Sequence, residues 1–150
     1  MRALLQRASQ ASVTIDGTVH SSIGPGLLIL LGIEEADGQE DIDWLVQKLT
    51  KMRIFGDAEG KMNCSLMDVG GEALVVSQFT LHANTRKGNR PSFIRAASPD
   101  HSEPLYEQFC SAMEKEMGRS VGRGVFGADM KVALTNDGPV TIWIDSRARE

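Results

Sequence analysis

Two polar side chains near the middle of the chain, Thr80 and His82, are of types that could carry out nucleophilic catalysis. If the segment from Glu72 to Leu81 is one buried strand, residues two apart face the same side, and a histidine base could activate the threonine hydroxyl. Such a pair also needs a third group that orients the histidine, and the local sequence offers none. We therefore rank a threonine nucleophile below other chemistries and expect His82 to be a histidine at the surface or at a loop edge.

The neighbouring residues do not supply a conventional nucleophile either. Ser77 has no histidine or aspartate on its own face of the predicted strand, and the chain contains no G-x-S-x-G turn. Taken by itself, Phe79 is expected to be a core residue.

A second unusual segment, Asn136-Asp137-Gly138-Pro139-Val140-Thr141, lies near the end of the chain. Apolar and polar residues alternate over 131–135 and again over 140–145, so both arms are predicted to be half-buried strands of a hairpin. Asp-Gly alone predicts a tight turn. Pro139 removes a backbone donor, and the bond before it is one of the few that can be cis. The ordinary interpretation is a rigid turn with a trans bond, since only about 5–6% of X-Pro bonds are cis.

Together, Ser77-Gln78-Phe79-Thr80-Leu81 and the later Asn-Asp-Gly-Pro-Val-Thr segment resemble one enzyme family, the D-aminoacyl-tRNA deacylases. Four further stretches are similar to the family and extend the resemblance over the whole chain: residues 1–8, 11–13, 24–28 and 127–130. Members of this family are small homodimeric enzymes that hydrolyse the ester between a D-amino acid and the terminal adenosine of tRNA. The resemblance therefore implies this activity, D-aminoacyl-tRNA as the partner, a homodimer and no cofactor.

The resemblance also assigns roles within the first motif. Phe79 and Thr80 would be catalytic, with their backbone N–H groups stabilising the oxyanion, a role that main-chain donors commonly fill. Ser77, Gln78 and Met130 would bind substrate, although an isolated methionine before a strand more often packs in a core. The ribose 2′-hydroxyl beside the ester could assist hydrolysis by its position alone. Whether Thr80 or this hydroxyl drives the reaction stays open.

For Gly138-Pro139 the resemblance implies a role in chiral selection. Rejecting an L-amino acid requires a rigid wall beside the α-carbon, and a cis Gly-Pro dipeptide has carbonyls fixed in direction and permits close approach. In the family, this dipeptide of one subunit enters the pocket of the other. We therefore expect a cis bond and a site that a second chain completes. Because such a wall cannot exclude glycine, glycyl-tRNA, including glycine mischarged on tRNA-Ala, is an expected substrate.

The charged residues are unevenly distributed. The formal net charge of −4 argues against a general nucleic-acid binder and against DNA binding, because nonspecific phosphate contact needs a basic surface. Yet Arg86, Lys87, Arg90 and Arg95 fall between residues 85 and 95 with no acidic residue among them. We expect Arg86, Lys87 and Arg90 to contact the tRNA end; the alternative is a solvated loop.

The composition fits one domain over residues 1–150. The two cysteines, Cys64 and Cys110, have neither the number nor the spacing of a disulfide scaffold or a zinc site, so we expect no metal. The apolar start of the chain is interrupted at Gln6 and Arg7, unlike a signal peptide, and the apolar run 27–31 is too short to cross a bilayer. We expect a cytoplasmic protein without membrane attachment.

The elements that must position these residues follow from periodicity and turn signals. We predict strands over 3–14 and 18–32 with a break at 24–26, a helix from Gln39 to about Phe55, a loop over 56–67, a strand over 72–81, a long polar loop over 82–100, a helix from about Ser102 to Gly118 or Gly122, a short strand over 121–126 and the hairpin over 131–145. This order predicts a single α+β domain in which two helices pack on a mixed, barrel-like β-sheet, as the resemblance also implies.

Two rival functions remain at this point. A noncatalytic module could bind an RNA end or a translation factor through the loop 86–95, and it would leave a D-aminoacyl ester intact. A general amino-acid esterase would cleave the ester but ignore the tRNA body.

Overall fold

The computed structural model describes residues 1–150, and its longest strands are the first and the last. The elements follow in the order β1 (Arg2–Ile15), β2 (Thr18–Ile23), β3 (Gly26–Gly32), α1 (Gln39–Lys51), β4 (Phe55–Gly56), β5 (Met62–Cys64), β6 (Glu72–Ser77), a 3-10 turn (Phe79–His82), α2 (Pro99–Met117), β7 (Gly122–Arg123) and β8 (Lys131–Asp145).

Strand β1 is the centre of the main sheet. Along one edge it pairs antiparallel first with β3, through residues 2–8, and then with β2, through residues 11–15. Its other edge pairs with β8. Strand β6 lies parallel to β3, and β7 lies parallel to β6, so the sheet is mixed as predicted.

Both faces of this sheet are covered, which explains the apolar sequence of β3. Leu27, Ile29 and Leu31 belong to the larger core cluster, which also contains the buried sides of α1 and α2. Leu28 belongs to a second cluster on the opposite face, where the curved sheet packs on itself and β8 contributes Val132. The predicted α+β class, with two helices packed on a barrel-like sheet, is confirmed.

The helix bounds differ slightly from the prediction. Helix α1 ends at Lys51 because the chain becomes extended at Met52 and Phe55 begins β4. Helix α2 begins at Pro99, three residues before the predicted start, and ends as predicted before Gly118, whose φ of 69° is left-handed. Neither helix is long and apolar enough to cross a membrane.

The predicted hairpin over 131–145 is wrong. Residues 131–136 pair with β1 between Ala8 and Thr14, and residues 141–145 continue along β1 between Arg2 and Gln6. Residues 137–140 bulge between these two paired stretches, where the register shifts. The alternation on both arms fits a hairpin and one long strand equally well, and the length of β1 decides between them. The predicted cis bond at Gly138-Pro139 is confirmed.

The predicted loop over 56–67 is also corrected, because part of it pairs. Strands β4 and β5 form a small antiparallel sheet in which Phe55 lies opposite Cys64. The Asp57 carboxylate closes the connection by accepting hydrogen bonds from the Glu59 and Lys61 amides, each at 2.9 Å.

Candidate active site

The first motif lies where the parallel pairing of β6 with β3 ends. The last pair is Leu31 with Ser77, and the Gln78 amide donates to the Leu31 carbonyl at 2.7 Å. The prediction that this strand continues to Leu81 is wrong, since Phe79 begins a 3-10 turn. The turn packs directly on Gly32, where an added Cβ would lie 3.0 Å from the Gln78 carbonyl oxygen.

A cavity of about 640 Å³ opens beside this turn. Residues 77–79 form one part of its lining, residues 126–130 with Val132 a second part, and residues from Phe93 to Ser102 a third. The structure thus brings together four of the predicted site residues: Ser77, Gln78, Phe79 and Met130. A second depression of about 520 Å³ lies along β1, β2 and β8, and no predicted site residue lines it.

Phe79 is not a core residue. Its side chain is 58% exposed, and its ring packs edge-on against Phe93, with centroids 5.1 Å apart and planes at 79°. Sequence reasoning missed Phe93, although an aromatic residue inside a polar segment was a signal that could have identified it.

Thr80 and His82 do not form a catalytic pair. The exposed Thr80 hydroxyl accepts a hydrogen bond from the Gln78 side-chain amide at 2.5 Å. His82 is fully buried, contrary to the expected surface position, and neither ring nitrogen has a hydrogen-bond partner. Burial lowers the pKa of His82, so the ring is neutral near pH 7. With its Nδ1 4.0 Å from a Glu34 carboxylate oxygen, His82 faces the interior and not Thr80.

The basic loop begins just after the turn. Asn84 and Ser92 exchange backbone hydrogen bonds of 2.8 and 3.0 Å, which close off residues 85–91. Arg86, Lys87 and Arg90 lie exposed on this loop and make no ion pairs. Arg95 differs from these three residues, because its guanidinium forms an ion pair with Glu34 at 3.1 Å.

Gly138 and Pro139 are exposed and do not line the cavity of their own chain. Gly138 has a φ of 129°, a backbone conformation that residues with a side chain rarely adopt. Beside it, the Arg7 guanidinium donates to the Asp137 carbonyl at 3.1 Å and to the Ile54 carbonyl at 2.6 Å. These contacts fix the bulge of β8 to β1 and to the segment before β4. Sequence reasoning missed Arg7, since nothing local connects residues 7 and 137.

Comparison with known proteins identifies one family. The family model described as D-Tyr-tRNA(Tyr) deacylase matches residues 4–145. The chain is similar to proteins named D-aminoacyl-tRNA deacylase from Flavobacterium johnsoniae and Bacteroides thetaiotaomicron, each 61% identical over 150 residues that cover 100% of both chains. The corresponding protein of Chromobacterium violaceum is 59% identical over the same length, with 100% of both chains covered.

Two solved structures share the fold. One, named c-Myc DNA Unwinding Element Binding Protein, is 40% identical with a TM-score of 0.91, covering 97% of this chain and 98% of that one. The other, described as a probable eukaryotic D-amino acid tRNA deacylase, is 21% identical with a TM-score of 0.81, covering 95% of this chain and 97% of that one.

Proposed function

The chain belongs to the D-Tyr-tRNA(Tyr) deacylase family, and from this premise we propose that it hydrolyses the ester of D-aminoacyl-tRNA to free D-amino acid and tRNA. The observation that carries the proposal is the cavity itself. It joins the end of β6, through Ser77 to Phe79, with Met130 and with the segment that continues from the basic loop. An aminoacyl ester held there would have the main-chain turn on one side, and the cationic side chains of the loop would lie near the phosphates of the tRNA end.

Main-chain groups supply the chemistry in this proposal. Water adds to the ester carbonyl carbon, and the oxyanion that forms accepts hydrogen bonds from the Phe79 and Thr80 amides, which lie beyond the β3–β6 pairing. The bond between the carbonyl carbon and the ribose 3′ oxygen then breaks, and that oxygen takes up the proton that the added water gives up. The neighbouring 2′-hydroxyl assists by its fixed position. The lack of a hydrogen bond between Thr80 and His82 supports this route over a threonine nucleophile.

The tRNA end is bound by the loop that leads into the cavity. Arg86, Lys87 and Arg90 have no acidic partner within the chain, so their charge is free for phosphates. Three cations beside one cavity suit a single RNA end, and the net charge of −4 makes extended DNA binding unfavourable. We place the reaction in the cytoplasm, where aminoacyl-tRNA is used.

Chiral selection in this proposal needs a second chain. Gly138 and Pro139 of one chain enter the cavity of its partner in a homodimer and exclude L side chains. Their exposure, their fixation by Arg7 and their absence from their own cavity support this arrangement. Glycyl-tRNA, which has no side chain to exclude, is hydrolysed as well.

A deacylation assay on matched D- and L-tyrosyl-tRNA tests the proposal. We expect rapid release of D-tyrosine, little release of L-tyrosine and slower release of glycine from glycyl-tRNA. Equal rates on the two enantiomers would contradict chiral selection, and an unchanged ester half-life would favour the noncatalytic binding module. Equal cleavage of D-tyrosine esters lacking the tRNA body would favour a general esterase.

A further inference from the structure

Gly124, which follows β7, lies directly behind the Met130 part of the cavity lining. A Cβ atom placed on Gly124 would lie 2.6 Å from the Met130 sulfur, well inside van der Waals contact, and 3.8 Å from the nearest Val76 methyl. The φ of Gly124 lies outside the left-handed region, so its backbone would accept alanine. Glycine is therefore needed here for the space it leaves and not for its conformation.

The backbone around Gly124 cannot easily retreat from a larger side chain. Its amide donates to the Val75 carbonyl at 3.0 Å, and the same carbonyl accepts a hydrogen bond from the buried Tyr106 hydroxyl at 2.9 Å. Met130, by contrast, has three rotatable bonds and adapts readily. A methyl group on Gly124 would therefore displace Met130 and leave the backbone in place.

The displaced side chain has one open direction. On the sheet side, Met130 packs against the second core cluster, which includes Val76, and Val132 packs against the same cluster. Met130 also lines the cavity. Close packing in the cluster leaves no room for an additional thioether, so the movement is directed into the cavity.

We propose that Gly124 is a specificity-determining position, which acts through Met130 by keeping this side chain out of the space that the D-aminoacyl group occupies. The inference rests on the proposed function, because it takes the cavity as the substrate site. Gly124→Ala narrows the cavity and selects against large D-amino acids. It leaves the main-chain donors of Phe79 and Thr80 unchanged.

Kinetics of three variants test this role. Gly124→Ala should lower kcat/KM for D-tyrosyl-tRNA at least about tenfold and for D-alanyl-tRNA by less than about threefold, in line with the effect of small volume changes in an apolar pocket. In a Met130→Ala background, which lacks the displaced sulfur, adding Gly124→Ala should change kcat/KM by less than about twofold. As a matched control, Gly122→Ala adds a methyl group 2.7 Å from the Ser21 hydroxyl oxygen and 3.0 Å from a Leu74 methyl, both outside the cavity lining. It should preserve the ratio between the two substrates.

A second measurement does not depend on catalysis. In protein labelled with ¹³C at the methionine methyl groups, Gly124→Ala should shift the Met130 methyl resonance more than the Met62 and Met67 resonances, in the absence of substrate. If the parent protein releases no D-amino acid but this shift is present, the proposed function fails while the role of Gly124 in placing Met130 stands.

Three results would overturn the inference. The first is an unmoved Met130 resonance. The second is unchanged discrimination between D-tyrosyl- and D-alanyl-tRNA in Gly124→Ala, and the third is a Gly124→Ala effect that persists in the Met130→Ala background. Should Gly124→Ala alone fail to fold, recovery of folding in the double variant would support the contact with Met130, and failure of both would overturn it.

Discussion

His82 shows how a single buried residue can make stability depend on pH. Removal from water disfavours the imidazolium, and the positive charge of Arg2 opposes it further. The nearby Gly32 backbone and the Glu34 carboxylate favour it and partly compensate, so the net result is a lowered pKa. As pH falls through the ordinary value of 6.5, the unfolded chain takes up a proton that the folded chain does not. The free energy of unfolding therefore falls below this pH, by at most about 1.4 kcal/mol per pH unit for one proton.

Replacing His82 by leucine should remove this dependence. Urea unfolding would be measured at pH 8.0, 6.5 and 5.5, which span about one to two units around the ordinary imidazole pKa. As the pH is lowered over this range, we expect the free energy of unfolding to fall less in His82→Leu than in the parent. His20→Asn, a change at an exposed histidine, is the control and should follow the parent. Parallel curves for parent and His82→Leu would show that the buried ring does not set this dependence.

A second prediction at the residue scale concerns Thr80. Its hydroxyl is held by Gln78 and lacks a base, so Thr80→Ala should lower the single-turnover rate by less than about tenfold. A D-tyrosyl-tRNA ending in 2′-deoxyadenosine should lose about a hundredfold or more, because positioned neighbouring groups supply several kcal/mol. A loss of about a thousandfold in folded Thr80→Ala would instead indicate a threonine nucleophile.

At the scale of elements, the loop closed by Asn84 and Ser92 is expected to act through its charge. The double variant Arg86→Ala/Lys87→Ala should raise KM for tRNA. The slope of log KM against log salt concentration should decrease by about 0.7 for each phosphate that the loop no longer neutralises. The turnover number should change little, because neither side chain lines the cavity. Lys61→Ala, on the β4–β5 connection, is the control for general loss of charge. An unchanged KM and salt slope in the double variant would make the loop a solvated surface.

The sequence predicted where helices and strands occur better than it predicted which strands pair with one another. The apolar spacing of α1 and the continuous apolar run of β3 identified both elements because each reflects which faces are buried. Alternation along β8 could not show that both arms pair with β1, since periodicity reports a strand's faces and not its neighbour. The strand end at Ser77 was missed for a related reason: it depends on where β3 ends at Gly32.

At the scale of the whole molecule, the candidate site combines segments that are far apart in sequence. Motif resemblance located residues 77–79 and 130, and the structure places them around one cavity. Phe93 carried a local signal, as an aromatic residue inside a polar segment, but its contact with Phe79 did not. Arg7 and Gly124 could not be found from the sequence, because their contacts depend on the packing of β1 and of the segment after β7. Long-range packing thus supplies the part of the site that local sequence patterns cannot encode.

The proposed exchange of Gly138-Pro139 between chains leads to a complementation experiment. Gly138→Trp should disable the dipeptide that enters the partner's cavity, because its φ of 129° is strained for an L-residue and the added side chain is large, while the cavity of its own chain stays free. Met130→Trp should obstruct its own cavity while leaving its Gly138-Pro139 intact. Each homodimer should therefore be inactive. In a heterodimer of the two variants, the free cavity of one chain meets the unaltered dipeptide of the other, so one of the two sites should work.

Random mixing of equal amounts should yield about a quarter of the parental specific activity on D-tyrosyl-tRNA, because half of the dimers would be mixed and each would have one working site. Circular dichroism and sedimentation would verify that both variants fold and dimerise before co-refolding. The control is a mixture of each variant with itself, which should stay inactive. If Gly138-Pro139 acted only within its own chain, both sites of the mixed dimer would carry a defect and no activity would return. Verified heterodimers without restored activity would therefore rule out the exchange.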